Sequence, residues 1–223
     1  MVPGWDLRSS DAALELAEHH APFVQAAVGV HPHHAAAMDE RAWSAVEALI
    51  ADPRCAAVGE IGLDFFRNLS PPEAQQAAFE RQLEIAAARD LPVLVHDRDA
   101  HDAVSTTLLA WAGRRSSDAR GVMHAFSGDA AMAGMLTERG FLISFALPLS
   151  FRSAVGARAA AAAIGAATYL VETDAPHLGP DRNGRNEPTT VLRVAAELAR
   201  LRTMEPQAVA DEVRRAYDRM IGE

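Results

Sequence analysis

The sequence predicts an α/β protein with a parallel sheet and, within that class, a TIM-barrel (β/α)8-type fold. Three observations point there. Short apolar runs alternate with amphipathic stretches of helical length along most of the chain. The runs are continuous rather than alternating, as expected of strands buried on both faces. Almost every run ends in a polar residue able to bind a metal: His31, Glu60 with Asp64, His96, His124, and Glu172 with Asp174. A barrel gathers the C-terminal ends of its strands around one axis, where active sites form. An open doubly wound sheet places its ligands at a switch point, usually beside a glycine-rich turn, and no GxGxxG is present.

The strand candidates are residues 24–30, 56–61, 92–95, 121–123, 141–145 and 168–171. Residues 1–4 end in Gly and are too short to be expected to pair along their length as a further strand. Helices are expected at 9–19, 39–51, 72–89, 99–111, 129–139, 152–164, 188–202 and 205–221. The stretch 39–51 places Trp43, Val46, Leu49 and Ile50 on one side. In 72–89 Phe79, Leu83 and Ala87 do the same, behind prolines whose missing N–H is harmless in a first turn. Six strands fall short of eight, and the shortage lies at the N-terminus. No linker or low-complexity segment interrupts the sequence, so residues 1–223 are read as a single domain.

The 223 residues are 49% hydrophobic and 23% charged, an ordinary globular balance. Net charge is −9, from 21 basic and 30 acidic residues, which argues against coating nucleic acid or an anionic membrane by bulk attraction. Every basic residue is Arg; the absence of Lys rules out a Walker lysine and a Schiff-base lysine. The single cysteine, Cys55, excludes an internal disulfide and a cysteine-rich zinc site. With no signal-peptide block at the start and no apolar run of spanning length, a cytoplasmic location without membrane attachment is expected.

Glu60 follows a buried Val-Gly pair, and Asp64 stands four residues on. Buried carboxylates need a partner or a metal. His96 and His124 each follow an apolar run, and Asp174 repeats the arrangement with a carboxylate. One such residue is weak evidence, because a lone histidine is more often a satisfied core residue. Four become a site only if the fold brings them together. A histidine and carboxylate set without thiolate suits Zn, Mn, Co or Mg, and a pair of such ions can activate water and stabilise a displaced ester. No GxSxG elbow suggests a serine nucleophile. His31 should point into the barrel mouth, whereas His33 and His34, beyond Pro32, read as solvated loop histidines. Ser127 is expected to bind a phosphate oxygen or cap a helix. Arg98 is expected to anchor a phosphate or pair with a site carboxylate. His101 reads as surface packing, and His177 stands near the pocket without an assigned role.

Taken together, VGVHPH, VGEIGLDFF, LPVLVHDRDAH, GVMHAFSG, FLISFALPLSF, LVETDAPHL and GRNEP resemble the TatD family of metal-dependent deoxyribonucleases, in family order over nearly the whole chain. The resemblance implies a TIM barrel hydrolysing phosphodiester bonds of DNA, often from the 3′ end, with one or two divalent ions. Carried over by position, Glu60 would be the bridging carboxylate and His96 and His124 would hold one ion. Asp174 would hold the other and manage the proton of the attacking water. His31, Asp64, Arg98 and Ser127 are expected at the substrate, single-stranded DNA or 3′ ends, and the protein as monomer or homodimer. The family's first strand, with its HxH pair, has no counterpart here. That predicts an incomplete chain, from a misplaced start codon, a cloning boundary or a truncated gene copy, or else a short protein that dimerises over its seam. Smaller departures are Ala125 in HAFSG, Ala146–Leu147 where the family prefers glycines, and Ala216 in the final helix where it usually has asparagine. Two other functions stay open on the residues alone: a pseudoenzyme or interaction module, and a related hydrolase of another ester or amide, such as a misacylated tRNA.

Overall fold

A computed structural model describes residues 1–112, 120–180 and 184–222. Among them the strands are β1 (Val2–Pro3), β2 (Ala26–Val28), β3 (Cys55–Asp64), β4 (Val93–Arg98), β5 (Gly121–Met123), β6 (Phe141–Phe145) and β7 (Tyr169–Val171). The helices are α1 (Leu7–His19), α2 (Glu40–Ile50), α3 (Pro72–Arg89), α4 (His101–Ala112), α5 (Ala130–Thr137), α6 (Val155–Ala163), α7 (Val191–Arg202) and α8 (Pro206–Ile221). The sheet runs in chain order, β1 to β7. The pairs β1/β2, β2/β3, β3/β4 and β6/β7 are parallel. An order without reversal has no switch point, so the doubly wound alternative fails and the TIM-barrel type of α/β fold stands.

The strand count corrects the sequence reading. Val2 and Pro3 do pair, opposite Ala26 and Ala27, which makes seven strands among the described residues instead of six. Two residues suffice because Val2 N–H donates to the Gln25 carbonyl and Gly4 N–H to that of Ala27. The chain then enters α1 through a capping box, in which Asp6 accepts from Ser9 N–H and Ser9 answers to the Asp6 backbone.

The chain forms two compact units, Met1–Val122 and Met123–Glu223. In the first, β3 is the axis, flanked by β2 and β4, with Val58, Ile61, Leu63, Val93 and Val95 fully buried. Helix α3 covers it with Phe79, Leu83 and Ala86. The same face of α3 buries two amides, Gln75 and Gln82, seven residues apart and therefore on one side of the helix. Gln82 accepts from Val30 N–H at 2.7 Å and donates to the Val30 carbonyl at 3.1 Å. Gln75 accepts from Asp64 N–H at 2.8 Å and donates to the Ser70 carbonyl at 2.8 Å. Each amide thus saturates backbone groups where a strand ends.

The β3/β4 ladder is not uniform. Val58 pairs with Val93, and Ile61 with Val95, so β3 spends one residue more than β4 over that span. Such a bulge re-aims side chains and is favoured beside functional sites. It falls at Gly59–Glu60, and Glu60 N–H turns to the Gly4 carbonyl at 2.8 Å. Gly62, at φ +135, lies so close to β4 that a Cβ there would meet the His96 carbonyl oxygen at 2.0 Å.

In the second unit, β6 and β7 are backed by α7 and α8 with Val194, Leu198, Val209, Ala216 and Met220 buried. Glu212 of α8 accepts from Ala167 N–H at 3.3 Å and lies 3.9 Å from Arg202, whose guanidinium packs over the Tyr169 ring at 4.8 Å. No helix among the described residues is long and apolar enough to cross a membrane.

Candidate metal centre

In the first unit, one carboxylate and two imidazoles converge. His31 follows β2, Glu60 sits on the β3 bulge and His96 lies on β4; one donor atom from each falls within 4.8 Å of the others. His96 Nδ1 is 2.8 Å from Glu60 Oε1, and His31 Nε2 is 3.8 Å from the same oxygen. The His31 and His96 rings meet edge to face at 4.4 Å. Two nitrogens and an oxygen, each part-buried, match the donor preferences of a divalent transition ion, and three protein ligands leave positions open for water and substrate. His31, which the sequence marked as able to bind a metal and also placed at the substrate, thus lies among the metal-competent donors. Burial holds its imidazole far below its ordinary range, at about 3; Glu60 pulls the other way, and His96 and His33 reinforce the drop. The ring is neutral at physiological pH, with a lone pair to offer.

Asp64 was expected to face substrate. Its side chain is only 1% exposed and meets two histidines. Oδ2 lies 2.8 Å from His33 Nε2 and 3.3 Å from His96 Nε2, while Oδ1 accepts from Arg67 N–H at 2.7 Å. Burial pushes the Asp64 carboxyl up, but these bonds outweigh it and hold the group well below the usual carboxylate range. A permanently charged second partner of this kind fixes the orientation of ligating imidazoles. His33 likewise departs from its expected loop position in solvent: the short 3-10 turn that starts at Pro32 folds it back onto Asp64 and against the His31 ring, 4.2 Å away. His34 is exposed as expected. His101 pairs with Asp97 at 2.7 Å. Arg98 is exposed, and its guanidinium lies over the Phe66 ring, 4.2 Å from the centroid.

In the second unit, His124 follows β5 and lies between two carboxylates that follow β7. Its Nδ1 meets Glu172 Oε2, and its Nε2 is 3.3 Å from Asp174 Oδ1. Glu172 Oε1 also accepts from Ala125 N–H at 2.6 Å, so one carboxylate clamps both the imidazole and the turn behind it. Burial raises the Glu172 carboxyl, but His124 and the Ala125 N–H more than offset it, and the net shift is downward. Asp174 sits at φ 58, a left-handed conformation that Asp tolerates better than most residues. Its loop is held by Asn186, 2% exposed, which donates to the Thr173 and His177 carbonyls and accepts from Glu187 N–H and the Thr190 hydroxyl. Ser127 is exposed, and the cap of α5 is Asp129, which accepts from Met132 N–H. Glu172 was marked in the sequence only as a metal-competent strand-end residue beside Asp174, and Asn186, within GRNEP, carried no assigned role. Nothing in the local pattern marked His33, Gln75 or Gln82.

A parallel barrel-type sheet with histidine and carboxylate donors at its C-terminal strand ends defines a metal-dependent hydrolase. More narrowly, the chain belongs to the TatD family: the family model described as TatD related DNase matches residues 1–222. It is 34% identical over 212 residues to the uncharacterized metal-dependent hydrolase YabD of Bacillus subtilis, covering 94% of this chain and 82% of the relative. It is 35% identical over 217 residues to the 3′-5′ ssDNA/RNA exonuclease TatD of Citrobacter rodentium, covering 94% of this chain and 81% of that one. Among solved structures it resembles the TatD homologue YJJV of Escherichia coli, with TM-score 0.89 and 28% identity over 99% of this chain and 85% of that one.

Proposed function

We propose that this hydrolase cleaves phosphodiester bonds of nucleic acid, DNA in the first place, working from 3′ ends of single strands. The observation that carries the reading is the His31–Glu60–His96 donor set, gathered within 4.8 Å. The named activity of the TatD relative from Citrobacter rodentium supports the substrate class. His31, Glu60 and His96 would hold a divalent ion, with Asp64 setting the His96 ring. In the second unit, His124 and Asp174 form a donor pair of their own, 3.3 Å apart. A bound ion would supply Lewis-acid polarisation of the phosphoryl oxygen and a more acidic water.

The chain's own residues carry the remaining work. Hydrolysis adds water across a P–O bond, so one proton must leave the water and one must reach the departing oxygen. Asp174 Oδ1 is assigned the water's proton, and His124 Nε2, 3.3 Å away, is assigned the proton that reaches the departing oxygen. Glu172 holds the His124 ring for that exchange. The net charge of −9 and the acidic donors repel a polyanion until the ion is bound, so nucleic-acid affinity should depend on metal.

The test is release of nucleotides from a 3′-labelled single strand in Mn or Zn, against chelator, with Glu60→Ala and His31→Ala. Metal-dependent release lost in both variants is expected. Metal binding without turnover on any strand would favour the interaction-module reading. Turnover of an aminoacyl ester but no strand would favour a different ester substrate.

A further inference from the structure

We propose that Phe66 and Arg98 form a shelf on which an unpaired nucleobase of the substrate stacks, beside the His31–Glu60–His96 centre. This rests on the nucleic-acid reading above and names the feature of the strand that the site recognises. Phe66 remains 58% exposed even though the Arg98 guanidinium takes one of its faces at 4.2 Å. A large apolar ring left open to water on a turn adds nothing to the core. Stacked by arginine, it offers a flat surface of fixed orientation, and a cation on one face strengthens a π-system for a second partner on the other.

The shelf is built into the centre. Arg98 stands at the end of β4, two residues beyond His96, and pairs in register with Asp64. Phe65 N–H donates to the Arg98 carbonyl at 2.9 Å, which brings the turns after β3 and β4 together. Asp64 then fixes the turn that carries Phe66. Its Oδ1 accepts from Arg67 N–H, its carbonyl accepts from Asn68 N–H at 3.3 Å, and Gln75 bonds the Asn68 side chain at 3.2 Å. The same carboxylate orients His96. A base on Phe66 would therefore lie at a set distance from the metal-competent donors. The guanidinium edge stays available to a phosphate.

Aromatic stacking serves single strands, because every base has a face and a duplex hides it. A protein of this net charge, with no lysine, lacks a broad electrostatic hold on the backbone, so local stacking must supply much of the affinity.

The experiment measures binding of the full chain, with Mn present, to fluorescein-labelled oligothymidylate carrying phosphorothioate linkages that resist cleavage. A strand of equal length with tetrahydrofuran spacers in place of the bases is the control. Phe66→Ala should weaken thymidylate binding about 10-fold, from the usual worth of a base–aromatic stack. Phe66→Tyr should restore it, and the base-free strand should bind wild type and Phe66→Ala alike. On cleavable strands, Phe66→Ala should raise KM and spare kcat. Thymidylate binding unchanged in Phe66→Ala, or an equal loss on both strands, overturns the shelf while leaving the nuclease reading intact. Binding of neither strand by the wild type overturns both.

Discussion

Gln82 offers the sharpest test of how the fold presents His31. Replacing it with Leu keeps the size of the side chain and its place on α3 but removes both bonds to Val30, at 2.7 and 3.1 Å. Val30 is 1% exposed and Gln82 fully buried, so no water takes over. A buried polar group left unpaired costs about 1–3 kcal/mol, and the substitution leaves two. Set against the transfer gain of an added apolar group, the loss is about 2–5 kcal/mol. For a chain of this size each 1 kcal/mol lowers the melting temperature by about 2–4 °C. All three tryptophans, Trp5, Trp43 and Trp111, lie in the first unit, so tryptophan fluorescence during urea unfolding reports the half that holds Gln82. Gln207→Leu on the exposed face of α8 is the control and should shift stability by no more than about 0.5 kcal/mol. Because Val30 precedes His31, metal affinity should fall as well. If Gln82→Leu matches wild type in both unfolding and metal affinity, the buried amides do not secure the strand ends, and the reasoning fails.

Three further outcomes follow from the same geometry. Ala125 sits at φ 43, where a Cβ is strained, so Ala125→Gly should gain about 0.5–1 kcal/mol in thermal unfolding despite glycine's looser unfolded chain. Asn186→Ala removes the bonds that bind the loop after β7 to itself and should cost about 2 kcal/mol, with faster proteolytic nicking near residues 173–178 as the readout. For pH, the folded pKa of His31 lies below its ordinary value, at about 3. The unfolded chain therefore takes up a proton first, and stability of the metal-free protein should be full above about pH 6.5 and fall as pH drops towards 3, by about 1.4 kcal/mol per pH unit for one proton. Denaturant titrations of wild type and His31→Gln across that window separate this contribution from those of the carboxylates, and an identical slope in both would rule it out.

How far the sequence could be read depended on whether the signal was local. Helix α3 matches its expected span, residues 72–89, because prolines mark its start and the left-handed Asp90 its end. The strand cores are legible for the same reason, as apolar runs. β1 escaped because two residues carry no period, and only the partner strand reveals the ladder. Glu60 and His96 stood out as polar residues at the ends of buried runs. His33 did not, since its partner Asp64 is 31 residues away and the turn after Pro32 reverses its direction. Gln75 and Gln82 were hidden by the opposite error: amphipathic patterning assigns polar residues to the wet side of a helix, and here they saturate backbone on the dry side.

The carboxylate of Asp64 also constrains how this scaffold can be altered. Its two oxygens tie ligand geometry and loop conformation to one anchor. Grafting a foreign segment across residues 65–69 to change selectivity would disturb the neighbouring imidazoles unless the graft kept an amide where Arg67 now donates. Diversity libraries at this rim should therefore hold positions 64, 67 and 75 constant and randomise 66, 69 and 98.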